Sequence, residues 1–289
     1  MNCADLHIHS SFSDGNLTPE EIVEAAKNNG LKAISITDHD CISSQYIIEK
    51  KYNDINIIPG IELSSEIDNL EIHILGYYID YHNENLISTV NKLSKERTKR
   101  IEKIISKLNE NGINLSMEDI DSTNSVGRSH IANAMVKKGY FDNYKSAFVN
   151  FLVKDKPAYV KGYKLNYKEA IKVIRDSGGI PVLAHPGQVY RGLAIESLIK
   201  ELKFFGLMGL EVYHPSHLRE DTNRFYNLAK KYKLLITGGS DYHGKGCYNE
   251  NIIGSYGIKK ELLNKLINYR NKWGTKWNYP KKHYKLIHQ

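Results

Sequence analysis

The sequence predicts an α/β fold, a barrel of alternating strands and helices with a helical block set into it, and three observations carry that prediction. Seven short stretches, at 5–9, 36–40, 58–62, 71–73, 182–186, 210–215 and 236–243, each run a few apolar residues and stop on a histidine or an acid. Strand and helix patterns alternate on both sides of the chain's middle. Between them, residues 83–162 lose that rhythm and become charged and helical. Parallel barrel strands bring their C-terminal ends to one mouth, so chemistry-bearing residues at seven such ends converge there.

The elements follow in order. In the first strand His7 and His9 alternate with Leu6 and Ile8, which sends both imidazoles to one face. Thr18-Pro19-Glu20-Glu21 opens a helix with an N-cap, a proline at the first position and a capping-box glutamate, and Gly30 ends it. Apolar runs at 33–36 and 55–58 are the next strands, and the alternation resumes from 167 to about 240. In the middle block Leu86, Val90, Leu93, Ile101, Ile104 and Leu108 form one stripe at three- and four-residue spacing, which helix packing by itself requires. Entered and left at strand ends, the block is expected to cap the mouth. Residues 262–269 read as a last amphipathic helix. The basic tail at 272–285 carries Trp273, Trp277, Tyr279 and Tyr284, expected to pack on the barrel or to stack bases.

With 289 residues the chain is long enough for one large domain with an insertion. A net charge of +7 favours phosphorylated or polyanionic partners over cationic ones. The three cysteines, Cys3, Cys41 and Cys247, form no CxxC pair and no disulfide framework, which suits a reducing compartment. No signal-peptide pattern and no run of about 18 apolar residues occurs, so a soluble, cytoplasmic protein without a membrane partner is expected. Nothing points to an obligate protein partner.

His7, His9, Asp14, His39, Glu62, His73, His185, Asp241 and His243 make nine ligand-type residues, nearly all at strand exits. Imidazole and carboxylate without thiolate suit zinc, manganese or iron. Nine ligands exceed what one ion uses, so two to three divalent transition metals are expected, with one carboxylate bridging. Arg128 and His130 stand at a helix start, where backbone N–H groups and a guanidinium favour a phosphate. His214 and His217 flank Pro215 at another strand exit and are read as contacts to substrate or to the ligands.

These motifs carry a resemblance. Asp5-Leu-His-Ile-His-Ser, Ser13-Asp14-Gly15, Ile36-Thr-Asp-His39, Gly60-Ile-Glu62, Ala184-His-Pro186 and Ser240-Asp-Tyr-His243 resemble the PHP (polymerase and histidinol phosphatase) phosphoesterases over most of the chain. The resemblance implies a distorted seven-stranded β/α (TIM-like) barrel, here residues 1–82 and 163–289, with 83–162 as the inserted helical cap. It implies a trinuclear site: His7, His9, Glu62 and Asp241 on one metal, Asp14, His39 and His185 on a second, His73 and His243 on a third, with Glu62 bridging. A metal-bound hydroxide held by Glu62, Asp14 and His39 would attack phosphorus in line with the leaving alkoxide.

The block and Gly127-Arg128-Ser129-His130 resemble the subgroup acting on 3',5'-bisphosphonucleosides or the 5' ends of short RNA, although Ser129 stands where that subgroup has proline. The alternatives are a histidinol-phosphatase-like monoesterase and a non-catalytic metal-containing RNA-binding module. The amidohydrolases, which also begin with His-x-His, lack counterparts of Asp14 and His39. Walker, dinucleotide-binding and Gly-x-Ser-x-Gly motifs are absent. Cys41 has no free base beside it if His39 holds a metal.

Overall fold

The computed structural model describes residues 2–121, 124–189, 195–244 and 252–274. Expectations for Cys247 and for the tail beyond Gly274 lie outside the described residues, as does the side chain of Trp273. Strand β1 (Ala4–Ile8) leads to helix α1 (Pro19–Asn28), where Thr18 caps, Pro19 is the first residue and Glu21 closes the capping box. Strands β2 (Ala33–Ile36) and β3 (Asn56–Ile57) join β1 in a three-stranded parallel sheet. A 3₁₀ segment, Ser43–Lys50, lies between these two.

Strands β4 (Gly60–Ile67) and β5 (Leu70–Tyr77) form an antiparallel hairpin in register from Gly60–Tyr77 to Ile67–Leu70. This departs from the all-parallel expectation. Its turn, Asp68-Asn69, holds φ of 49° and 65°, the left-handed pair that a two-residue hairpin needs and that Asp and Asn tolerate. Strands β6 (Leu165–Asn166), β7 (Ile180–Leu183), β8 (Gly209–Tyr213) and β9 (Leu235–Gly238) complete a six-stranded sheet ordered β6-β4-β5-β7-β8-β9. Among the described residues there are therefore nine strands in two sheets, where seven strand ends had been read. Parallel bridges Ile8–Tyr242 and His39–Glu62 join the two sheets.

The described helices between 84 and 152 are α2 (Glu84–Glu110), α3 (Arg128–Lys137), α4 (Tyr144–Ala147) and a π turn at Phe148–Leu152, with a 3₁₀ turn at Met117–Asp119. All six stripe residues of α2 are buried, but in two cores. Leu86, Val90 and Leu93 pack into the main core under the large sheet, with Ile61, Ile74, Ile171 and Leu210. Ile101, Ile104 and Leu108 belong to a separate cluster with Ile131, Met135 and Leu152. One helix thus ties the helical block to the sheet.

Helices α5 (Tyr167–Asp176), α6 (Ile195–Phe204) and α7 (Arg219–Lys231) alternate with the later strands. The last helix, α8 (Lys260–Gly274), buries Leu263, Leu266 and Ile267 against β1, β5 and β7. Among the described residues no helix is long and apolar enough to cross a membrane.

Candidate metal centre

The pleat of β1 sends His7 and His9 to one side, and both are fully buried. Glu62, also fully buried on β4, divides the histidines between its two oxygens. Oε2 lies 3.3 Å from His7 Nε2, 3.3 Å from His9 Nε2 and 3.1 Å from His39 Nδ1. Oε1 lies 3.0 Å from both His73 Nδ1 and His185 Nε2. Asp241 Oδ1 closes the first group at 3.4 Å from His7 Nε2 and 3.2 Å from His9 Nε2. Asp14 Oδ1 stands 3.3 Å from His243 Nε2.

All nine sequence-predicted ligands are brought together, but their grouping differs from expectation. His243 sits with His9, Asp14 and His39 within ligand reach, and His73 sits with His39 and Glu62. His185, expected beside Asp14 and His39, instead shares Glu62 Oε1 with His73. The reason is the hairpin: β5 and the β7 exit flank β4 on that side, whereas residue 243 follows β9 and approaches β1.

The donor set fits metal ions. Buried polar atoms almost always find a hydrogen bond. Yet His7 Nε2, both ring nitrogens of His9, Asp14 Oδ1, His39 Nδ1, Glu62 Oε2 and His185 Nδ1 are buried without one. Burial alone would raise the carboxyls, but the surrounding imidazoles hold Glu62, Asp14 and Asp241 well below the usual range. Burial drives His39 down to about 3, while at His9 the carboxylates of Asp241 and Glu62 overcome burial and push it up to about 10. Two of these residues stand on uncommon backbone for a side-chain-bearing residue, His185 at φ 25° and Asp241 at φ 50°.

Supporting groups missed in the sequence surround the centre. Asp38 accepts from Ser10 N (2.8 Å) and from the hydroxyls of Ser10 (2.7 Å) and Ser13 (2.6 Å), pinning the loop that presents Asp14. Asp5 accepts from Ser240 N at 2.9 Å beside Asp241. Glu211 on β8 takes the far side of His7. Each acid lies inside a stretch singled out by its histidines, and its position next to a ligand was the available signal.

The ligands open into a cavity of ≈ 300 Å³ whose lining includes Asp14, His39, His73, Asp241 and His243. Its other walls carry Arg97, Arg100, Arg128 and Lys164 with Tyr144, Phe148 and Tyr163. Arg97 is tied to Asp40 and reaches Ser64 Oγ at 3.0 Å. Burial, then the neighbouring Arg128 and Arg97, lowers Arg100 to about 10. Arg128 donates to Leu152 O at 3.1 Å and lies over the Phe148 ring at 5.3 Å.

Three other predicted contacts are placed differently from one another. His130 is not part of the cavity lining: its Nδ1 accepts from Gly127 N (3.0 Å) and its Nε2–H donates to Ser13 O (2.8 Å), so it latches α3 to the Asp14 loop. Ser129 Oγ adds a bond to Asp14 Oδ2 at 3.2 Å. His217 likewise spends both ring nitrogens on backbone, donating to Val212 O (2.9 Å) and accepting from Gly187 N (3.0 Å). His214 lies within ligand reach of His7 and Asp241. Its Nδ1 accepts from Ser216 N at 3.1 Å, so Nε2 carries the proton and donates to Asp241 Oδ2 at 3.2 Å, orienting that carboxylate.

Comparison with known proteins decides the family, because the PHP domain model matches residues 5–178, more than half of the chain. The chain belongs to the PHP family. It is 30% identical over 249 residues to the 3',5'-nucleoside bisphosphate phosphatase of Chromobacterium violaceum, covering 84% of this chain and 87% of that one. It is 31% identical to the 5'-3' exoribonuclease of Haemophilus influenzae (83% and 89% covered) and 29% identical to the phosphoribosyl 1,2-cyclic phosphate 1,2-diphosphodiesterase of Eggerthella lenta (83% and 94%). A crystal structure from Bifidobacterium adolescentis, assigned as a metal-dependent phosphoesterase, superposes with a TM-score of 0.83 at 27% identity over 92% of this chain and 95% of that one. As a PHP protein the chain is a metal-dependent hydrolase of phosphoric ester bonds.

Proposed function

We propose that this PHP phosphoesterase removes phosphate from nucleotides carrying two phosphates, 3',5'-bisphosphonucleosides, or from the 5' ends of short RNA. The observation that carries the reading is the cavity itself, where buried ligand atoms without hydrogen bonds meet three arginines and a lysine. Arg97 is held by Asp40 and Lys164 by Glu71, whereas Arg100 and Arg128 bond to the backbone carbonyls of Val160 and Leu152, which leaves their guanidinium charges for a second phosphate.

The two sheets, joined at Ile8–Tyr242 and His39–Glu62, are read as a distorted barrel formed by 1–82 and 163–289, capped by 83–162. His7, His9, Asp14, His39, Glu62, His73, His185, Asp241 and His243 would hold two to three divalent ions, manganese, iron or zinc, with Glu62 as the carboxylate they would share. Bound there, such ions supply an acidified water as nucleophile and positive charge against the nonbridging phosphoryl oxygens. The protein's part is to orient. Glu62 and Asp241 space the imidazoles, Asp38 fixes the loop of Asp14, and His7, His9 and Glu62 form a fully buried floor. Arg128, with Arg100 and Lys164 beside it, takes the second phosphate through charge-assisted bonds. His130 and His217 serve the frame rather than the substrate.

Kinetics of Arg128→Ala on two substrates test this. For a 3',5'-bisphosphonucleoside, kcat/KM is expected to fall about tenfold to a hundredfold, the cost of one charge-assisted contact. A simple aryl phosphate, with no second phosphate to lose, should be hydrolysed nearly as before. Equal losses on both substrates would place Arg128 at the reacting phosphate, and no loss on either would remove it from substrate binding.

A further inference from the structure

Glu211 is a fully buried carboxylate in the middle of β8, and among the described residues it forms no ion pair with a lysine or arginine. Isolated buried carboxylates are costly, so its partners should explain it. It has three contacts. Oε1 and Oε2 lie 3.0 Å and 3.2 Å from His7 Nδ1, and Oε2 accepts the backbone N–H of His185 at 2.7 Å. The pairing of β8 with β9 shifts register between Glu211 and Tyr213, the kind of irregularity that re-aims a side chain.

We propose that Glu211 is a positioning residue that sets two metal ligands from one carboxylate, His7 through its ring and His185 through its backbone. The proposal rests on the metal-binding reading of the same site. An ionised carboxylate only accepts hydrogen bonds, so Nδ1 of His7 must carry the proton, and the lone pair of the neutral ring stands on Nε2. That nitrogen is buried without a hydrogen bond, 3.3 Å from Glu62 Oε2 and 3.4 Å from Asp241 Oδ1. Glu211 stands on the other side of the imidazole and is a support to the ligand, as in the carboxylate–histidine–metal arrangement.

The second contact acts on the chain. His185 has φ 25°, uncommon for a residue with a side chain, and its N–H is bonded to Glu211. In that position His185 Nε2 meets Glu62 Oε1 at 3.0 Å, while its Nδ1 is buried without a hydrogen bond. The His7 and His185 rings lie stacked, centroids 5.7 Å apart and 23° between planes.

The test compares wild type with Glu211→Gln and Glu211→Ala, each stripped of metal and titrated with zinc against a chromophoric chelator. Glutamine keeps the shape, and with its oxygen on the His185 N–H it turns its NH₂ on His7 Nδ1, which disfavours the tautomer with a proton there. Zinc affinity at one or more sites should therefore fall about tenfold to a hundredfold in Glu211→Gln, and at least as far in Glu211→Ala. Melting of metal-free Glu211→Gln should stay near that of metal-free wild type. In zinc-loaded protein, ¹⁵N shifts should show His7 of wild type with a protonated Nδ1 and a metal-bound Nε2, and that pattern should be lost in the variants. Unchanged affinity in both variants would overturn the proposal, as would a lowered metal-free melting point with unchanged affinity, which is a purely structural role. Wild type that takes up no zinc, manganese or iron would instead overturn the metal-centre reading and this inference with it.

Discussion

Histidines in this chain take their roles from the partners of each ring nitrogen. His7 and His9 keep nitrogens without hydrogen bonds facing carboxylates, whereas His217 has both nitrogens committed to backbone groups. Burial holds His217 down to about 4, with the bond to Val212 working the other way. An unfolded imidazole titrates near 6.5. Between those values the unfolded chain binds a proton that the native chain does not, so stability falls as pH drops from about 6.5 towards about 4. His217→Gln can still donate to Val212 and accept from Gly187 but does not titrate. Its urea midpoint should therefore fall less than that of wild type between pH 7 and pH 5, and parallel losses would contradict this assignment. Such partners are invisible in sequence. Ser13 O for His130 and Gly187 N for His217 lie 117 and 30 residues away, so the sequence could mark these histidines as special without sorting supports from substrate contacts.

Helix α3 shows what an element end can do besides binding a ligand. Its start is fastened to the Asp14 loop by His130 and Ser129, which couples the helical block to a candidate metal ligand. His130→Ala would strand the buried Ser13 carbonyl and the Gly127 N–H. A loss of about 1–3 kcal/mol is expected in urea unfolding, and a midpoint equal to wild type would show that water or a neighbour replaces both bonds. Elements whose signals are local were legible: the Thr18 capping box, the α2 stripe, and strands β1 and β2 running up towards His9 and His39, whereas Glu62 and His73, read at strand ends, stand inside β4 and β5. Strand β5 was not, because its direction is set by Asp68 and Asn69 adopting positive φ, a two-residue signal embedded between apolar runs. His185 and His243 each stand in the ligand group that the family resemblance gave the other, since the hairpin decides which strand exits adjoin Glu62.

Across the whole molecule, the ligands come from β1, the loop after it, the exits of β2, β7 and β9, and both strands of the β4–β5 hairpin, so a filled centre would join the two sheets. Without ions those sheets meet through the Ile8–Tyr242 and His39–Glu62 bridges, next to the buried carboxylates of Glu62 and Asp241 and the half-buried one of Asp14. Ions that bind only the native chain stabilise it by mass action, about 4 kcal/mol at a thousand times Kd. For a chain of this size that is a rise on the order of 10 °C in Tm. Thermal melts of chelator-stripped protein should move upward by that order on adding saturating manganese or zinc, with two to three ions retained per chain after gel filtration. Glu62→Gln should largely cancel the shift, because Glu62 is the residue whose two oxygens reach five histidines. A melting point indifferent to metal, or a Glu62→Gln protein that responds as fully as wild type, would mean that the cluster is not a metal centre tying the sheets together. The low carboxylate pKa values would then come from ion pairing with protonated histidines alone, and stability would be lost as the pH rises and those imidazoles shed their protons.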